Sequence, residues 1–134
     1  MEKAEYGVLS LATPEGQPYG VPLSFCVARG AIYFHCALEG RKLEILSRNP
    51  SISFCVVGST TILPAQFGTR FESAIVAGDA HEVRGAEKRL ALEGLVRKYS
   101  GEFLNEGSAY IEANDARARV FKIAIQSISG KARR

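Results

Sequence analysis

The segment YFHCALEGRKLEIL, residues 33–46, contains the side chains best suited to chemistry. An apolar strand pattern ends near Cys36, a loop carries Gly40, and a helical pattern begins with Arg41 and Lys42. Cations at a helix N-terminus oppose the helix dipole, whereas an anion there would meet free backbone N–H groups and both basic side chains. The spacing therefore predicts an anion site, with a phosphate monoester as its natural ligand. Two solvated surface charges are the alternative, because strand–glycine–basic–helix is a loose pattern.

His35 lies next to this segment and is the candidate acid or base. On an alternating strand Tyr33 and His35 share one face, Phe34 and Cys36 share the other, and one pair must line the core. Histidine changes charge near neutral pH, although a lone histidine is often structural. Cys36 acting as a nucleophile with His35 is disfavoured, since adjacent strand residues point to opposite faces. We recognise no metal-ligand spacing, phosphate loop or Ser/His/Asp signature.

Length and composition limit the classes of protein that need consideration. A chain of 134 residues predicts one domain, 1–134, and 46% hydrophobic with 23% charged residues is typical of a globular protein. The net charge of +3 suits an anionic ligand but not the concentrated basic face of a nucleic-acid binder. The basic residues Lys131, Arg133 and Arg134 predict a solvated tail.

The cysteines and the N-terminus indicate a cytoplasmic protein. Cys26, Cys36 and Cys55 lie in apolar runs without a CxxC spacing, which favours buried, reduced, core-filling thiols. The sequence MEKAEYG has no apolar signal region, and no apolar stretch approaches the length of a membrane span. We therefore expect no membrane partner.

Periodicity and turn residues predict six strands and two helices. Pro22 implies an edge, bulge or bend in the second strand, since proline cannot donate to a sheet ladder. The first three strands form an antiparallel meander, the fourth is central, 59–70 is irregular, and 100–116 is a loop with at most a helical turn. Short antiparallel strands with a helix between them favour a β-barrel. The predicted strands are 6–12, 17–28, 31–36, 51–58, 71–84 and 119–128, and the helices are 40–48 and 86–99.

The strings YGVPLSF, IYFHCALEGRKLEIL, RNPSISFCVVG, FESAIVAGDAHEV and FKIAIQSISGKA follow one another along nearly the whole chain. In this order they resemble the pyridoxamine 5′-phosphate oxidase-like split-barrel FMN-binding proteins, and within them the nitroimidazole-resistance branch. The resemblance implies a mainly β fold, a six-stranded antiparallel split barrel with two to three helices. It also implies a homodimer with FMN in two clefts at the subunit interface.

The same resemblance implies a role for each matching position. The isoalloxazine ring would be flanked by Pro22, Leu23 and Ser24, the flavin cleft would be lined by His35, Cys36 and Ala37, and the phosphate would be held by Gly40, Arg41 and Lys42. Further contacts would come from Thr69, Arg70 and Ser73 on neighbouring strands and from Ser129, Gly130 and Lys131 of the closing motif. His35 would be catalytic.

Two functions follow from the resemblance. The first is an FMN-dependent oxidoreductase that reduces a small electron-poor substrate, such as a nitroaromatic compound. The second is a non-catalytic module that holds flavin or haem as a carrier or sensor, and a dimer that has lost its cofactor is a third reading. The segment before the first strand is shorter than in related chains, and the vitamin B6 recognition motifs are not visible, which disfavours vitamin B6 chemistry.

Overall fold

The computed structural model describes residues 1–133, which form one antiparallel sheet curled around a core, with three helices outside it. The sheet has eight strands in the order β2-β1-β5-β7-β8-β4-β3, with β6 paired to β7 alone. The strands are β1 (Gly7–Ala12), β2 (Pro18–Leu23), β3 (Cys26–Ala28), β4 (Ala31–Cys36), β5 (Ser51–Val57), β6 (Thr61–Leu63), β7 (Gly68–Val83) and β8 (Arg119–Arg133), and the helices are α1 (Arg41–Arg48), α2 (Gly85–Tyr99) and α3 (Leu104–Asn114).

The sheet is a split barrel rather than a closed one. Its two edges, β2 and β3, are consecutive in the chain and are separated only by Ser24 and Phe25. A two-residue connection holds the two edges within about 11 Å, since consecutive Cα atoms are 3.8 Å apart. The sheet must therefore curl until its ends nearly meet, and the predicted split-barrel fold is confirmed.

The prediction of six strands was wrong, and two local causes account for the eight. The segment 17–28 bends after Leu23 and changes partner, so β2 pairs with β1 while β3 pairs with β4. The stretch expected to be irregular contains the short strand β6, which pairs with the start of β7. Pro22 lies just before the bend, on an edge strand where its missing N–H costs no ladder bond.

Two apolar layers stabilise the fold. The barrel interior is filled by large side chains from both halves of the sheet, and Phe25 packs edge-on against Phe54 with ring centroids 5.1 Å apart. A second, smaller cluster lies outside the barrel, where Ala91 and Leu95 of α2 cover Tyr33 of β4 and Val120 of β8. Helix α2 is therefore held against the β3–β4–β8 side of the barrel.

The last strand is longer than the sequence pattern indicated. β8 pairs with β7 up to Arg133, so Lys131 and Arg133 lie in a strand and not in the predicted solvated tail, while Arg134 lies outside the described residues. A register shift occurs between Ala77 and Gly78 of β7. A Cβ at Gly78 would come within 2.0 Å of the Ala124 carbonyl oxygen, so only glycine fits this crossing.

Helix α3 was missed because nothing in its sequence marks it clearly. The expected loop instead contains a helix of 11 residues, with Gly107 at its contact with α2. A Cβ on Gly107 would lie 2.3 Å from a methyl group of Val96, so the two helices approach through this glycine. Glycine lowers helix propensity by about 1 kcal/mol, so the residue that permits the packing also obscures the helix in the sequence.

The cysteines only partly follow the prediction. All three are free, and Cys26 and Cys36 are buried, but Cys55 is half-buried on the outer face of β5. Within residues 1–133, no helix is both long enough and apolar enough to span a membrane.

Candidate functional site

The end of β4 presents His35 to solvent while its neighbours are buried. Phe34 and Cys36 face the barrel interior, as one of the two predicted arrangements requires. Tyr33, on the opposite face, is also buried because α2 covers it, and its hydroxyl donates a 2.7 Å hydrogen bond to Glu87. Because α2 does not cover His35, its imidazole remains exposed at the end of the strand.

His35 opens onto a cleft of about 450 Å³ between β4 and the helices α2 and α3. Ala37 and Cys36 complete the β4 side, so the three residues predicted to line a flavin cleft lie together along this cleft. The walls are mainly apolar, and the polar groups gather at the end of α3. The remaining lining residues are Leu92, Leu95 and Val96 of α2, Tyr110, Ile111 and Asn114 of α3, and Asp115, Arg117 and Ala118 beyond it.

The cleft wall from α3 contains the residues that sequence reasoning missed. Tyr110 and Asn114 were assigned to a loop, so neither was considered as a candidate. Leu104 and Ile111 are seven residues apart, a spacing that places two apolar side chains on one face of a helix, and Tyr110 is adjacent to Ile111. This spacing is the signal that could have found them. Gly107 interrupts that spacing, which explains why the signal was weak.

The environment of the cleft keeps His35 neutral. Although His35 is exposed at the cleft, the neighbouring walls desolvate the imidazole and lower its pKa, and the nearby positive charge of Lys42 lowers that pKa further. At neutral pH the ring therefore has one N–H donor and one acceptor nitrogen. Burial raises the pKa of the Cys36 thiol, which disfavours a thiolate nucleophile, as the sequence predicted.

The first turn of α1 has the features of an anion site. Gly40 has φ 149° and ψ 170°, a backbone region essentially limited to glycine, and a Cβ there would meet no atom within 4 Å. No side chain caps the helix, and its first turn closes with the Glu44 N–H donating to the Gly40 carbonyl. The N–H groups of residues 41–43 are therefore left without helical partners.

The two basic side chains of this turn have no acidic partner in the part of the chain that the structure describes. Arg41 is exposed, and its guanidinium carbon lies 5.8 Å from the centre of the Tyr19 ring. Lys42 is half-buried and close enough to His35 to affect its pKa. Two cations beside free N–H groups are electrostatically suited to an anion.

The Pro22–Ser24 segment lies at the bend between the two sheet edges. In the β3–β4 ladder Cys26 is opposite Tyr33, so continuing that register by two residues would bring Ser24 level with His35. A separate set of contacts holds the bend in place. The Tyr99 hydroxyl, at the end of α2, accepts from the Phe25 N–H at 3.1 Å and donates to the Glu5 carbonyl at 2.7 Å.

The remaining predicted residues lie at the other end of β8. Ser73 is opposite Lys131 in the β7–β8 ladder, and Thr69 and Arg70 lie just before it. The β4 site is instead opposite the first residue of β8, Arg119. Lys131 and Arg119 are about 40 Å apart along the strand path, at the rise of an extended chain. Ser129 and Gly130 lie with Lys131, at the end of the strand away from β4.

The fold and this site define a class of protein, a split barrel in which an uncapped, basic helix start follows the strand that borders an apolar cleft. A family model described as pyridoxamine 5′-phosphate oxidase matches residues 1–132. The chain therefore belongs to that family, which confirms the predicted resemblance. A comparison with curated proteins gives no match.

Solved structures with the same fold support the assignment. A putative 5-nitroimidazole antibiotic resistance protein from Bacteroides thetaiotaomicron is 24% identical with a TM-score of 0.74, covering 95% of this chain and 76% of that one. An FAD-binding protein from Mesorhizobium loti is 25% identical with a TM-score of 0.66, covering 96% and 84%. The haem storage protein HutZ from Vibrio cholerae is 13% identical with a TM-score of 0.71, covering 96% and 86%.

Proposed function

We propose that the protein binds FMN, with the phosphate at the start of α1 and the isoalloxazine ring in the cleft beside His35. The observation that carries the proposal is the position of an uncapped, doubly basic helix start four residues beyond the β4 end of an apolar cleft. The helix start suits a phosphate, and the cleft suits a flat aromatic ring. FMN joins these two chemistries in one molecule.

The residues at the helix start fit a phosphate group. The open space at Gly40 would let an oxygen approach the backbone, and the free N–H groups of the first turn would donate to it. Arg41 and Lys42 would neutralise its charge without giving up an acidic partner. Charge-assisted hydrogen bonds of this kind contribute about 1.5–3 kcal/mol each, enough for a selective phosphate site.

The cleft fits the ring in size and character. Ligand pockets are typically about 300–1,000 Å³, and the 450 Å³ cleft lies within that range. Leu92, Leu95 and Val96 provide an apolar wall, while Asn114 and the neutral His35 provide polar groups near the mouth. Pro22, Leu23 and Ser24 would approach from the bend between the sheet edges.

We further propose that the protein is an oxidoreductase acting on a small electron-poor substrate. Flavin, when bound, supplies the hydride or electron transfer, and the protein supplies binding, orientation and exclusion of water. The neutral His35 would orient a substrate oxygen by donating a hydrogen bond from its N–H. The similarity to the nitroimidazole resistance protein supports a nitroaromatic as the first substrate to test.

A homodimer would complete this site. The group formed by Thr69, Arg70, Ser73 and the closing motif lies far from the β4 cleft in one protomer, so a second copy must supply it if both groups contact one flavin. The outer face of the barrel offers a surface for that copy. Val8, Cys55 and Ile75 are adjacent across β1, β5 and β7, and Val8 and Ile75 are exposed.

The alternative function is a non-catalytic flavin- or haem-binding module. The haem storage relative supports it, and His35 beside an apolar cleft is a possible axial ligand for haem iron. Haem has no phosphate group to place at the start of α1. Dependence of binding on the phosphate therefore distinguishes FMN from haem. We also retain the cytoplasm as the proposed location.

The experiment is a cofactor titration on the native protein. Apoprotein would be titrated with FMN, FAD, riboflavin and haemin, and binding would be followed by flavin fluorescence or by the haem absorption band. The proposal expects FMN to bind at least tenfold more tightly than riboflavin. Equal affinity for FMN and riboflavin would refute the phosphate site, and haemin binding without flavin binding would favour the alternative. Anaerobic reduction with NADH or NADPH, followed by nitroaromatic acceptors, would then test for turnover.

A further inference from the structure

An ion pair between Glu82, near the end of β7, and Arg119, at the start of β8, contacts the loop that leads into α1. Arg119 binds Glu82 through two nitrogens, with Nε 3.2 Å from Oε2 and Nη2 2.7 Å from Oε1. Its third nitrogen, Nη1, donates a long hydrogen bond of 3.4 Å to the Leu38 carbonyl. The guanidinium is thereby fixed by a bidentate contact on one side while it contacts the loop on the other.

The loop depends on this contact because it has few others. Leu38 and Glu39 connect β4 to the N-cap Gly40, and across residues 1–133 their backbones make no hydrogen bond except the one from Arg119. Leu38 is also half-exposed, so its side chain does little to anchor it. The position of Gly40, two residues further on, therefore follows the position of the Leu38 carbonyl.

The ion pair is itself well anchored. The Glu82 side chain is only 17% exposed, and the hydrogen bond from Arg119 holds the pKa of its carboxyl below the usual value. The Arg119 guanidinium carbon lies 5.7 Å from the Phe121 ring, which stacks on Phe34 inside the barrel. Arg119 thus connects the rigid barrel to an otherwise unsupported loop.

We propose that Glu82 and Arg119 are positioning residues for the phosphate site, and that they act by fixing the Leu38 carbonyl and hence the backbone at Gly40, Arg41 and Lys42. The proposal rests on the proposed binding of FMN. It assigns a role to two residues that do not themselves line the cleft or belong to α1, and it predicts that their loss weakens binding of the phosphate more than binding of the ring.

The test compares FMN with riboflavin, which has the same ring without the phosphate. Arg119→Lys keeps the charge but loses the planar fork, and Glu82→Gln keeps the shape but loses the charge that orients the fork. Both variants are expected to weaken FMN binding about tenfold, the size of one lost charge-assisted contact, and to leave riboflavin affinity unchanged. Arg84→Ala is the matched control, because Arg84 contacts the same Glu82 oxygen at 3.1 Å from an exposed position and does not touch the loop.

Amide hydrogen exchange on the ligand-free protein gives a second measurement that does not need flavin. The Glu44 amide, which donates to the Gly40 carbonyl, and the next amides of α1 are expected to exchange faster in Arg119→Lys than in the parent, while α2 keeps its protection. An equal loss of FMN and riboflavin affinity, or unchanged exchange at the start of α1, would overturn the positioning role. Failure of the parent protein to bind any flavin would instead overturn the proposed function, and the role in phosphate binding with it.

Discussion

Removing both cations from the start of α1 is the most direct test of the phosphate site. In the double variant Arg41→Ala with Lys42→Ala, the backbone N–H groups and the cleft beside His35 are retained. Each lost charge-assisted contact is worth about 1.5–3 kcal/mol, which together correspond to a 10²–10⁴-fold weaker affinity for FMN. Riboflavin affinity should change little, because the ring contacts lie on β4 and the helices.

The stability of the ligand-free protein should move in the opposite direction. Cations near a helix N-terminus are unfavourable, so their removal should stabilise α1 by about 0.3–1 kcal/mol each. Neither side chain forms an ion pair among the described residues that would be lost in exchange. The melting temperature of the apoprotein should therefore stay level or rise slightly, while the additional stabilisation by FMN falls.

The assay is a fluorescence titration of apoprotein with FMN and with riboflavin, together with thermal unfolding of each form. Arg48→Ala is the control, since Arg48 lies in the last turn of the same helix and pairs with the exposed Glu15 at 2.6 Å. That change should leave both affinities unaltered. If the double variant binds FMN with an affinity within threefold of the parent value, the reasoning is refuted. If riboflavin affinity falls as much as FMN affinity, the loss is assigned to the cleft.

Three further outcomes follow from the structure. His35→Ala should leave FMN bound but lower the turnover of a nitroaromatic acceptor, and loss of flavin in this variant would assign the residue to binding alone. Ile75→Lys, on the exposed apolar face, should convert the proposed dimer to a monomer, as measured by light scattering, whereas Phe103→Lys, exposed between α2 and α3, should not. Because the pKa of Glu82 is lowered in the folded protein, its contribution to stability is present above its unfolded pKa and is lost as pH falls through the folded value. Thermal unfolding of Glu82→Gln between pH 3 and 7 should therefore vary less with pH than that of the parent, and identical pH profiles would contradict this.

The sequence predicted β4 and α1 well because strong local signals determine both. AIYFHC is bounded by the Arg29-Gly30 turn and by the loop at Gly40, and Asn49-Pro50 ends the helix. The anion site depends on the same local order, so Gly40, Arg41 and Lys42 could be proposed as neighbours from the sequence. The prediction that His35, Cys36 and Ala37 line a cleft came instead from the family resemblance.

What the sequence did not predict depends on contacts between distant segments. Pro22 indicated an edge, bulge or bend, but not that β2 and β3 have different partners or that the bend is held by the Tyr99 hydroxyl, 74 residues away from Phe25. The helix that closes the cleft has Gly107 in its first half, where local propensity argues against a helix. The tether from Arg119 to Leu38 spans 81 residues and has no local pattern at all.

The position of β8 between β7 and β4 has a consequence for how the chain reaches its native state. The hairpins of the first half can form as soon as their residues have been synthesised, but the barrel interior needs Phe121 and Ile123 from β8. During synthesis the sheet therefore lacks the strand that joins its two halves until β8 has left the ribosome. Until then β4 and β7 present unpaired edges, so the nascent chain should be slow to fold and should depend on protection from aggregation.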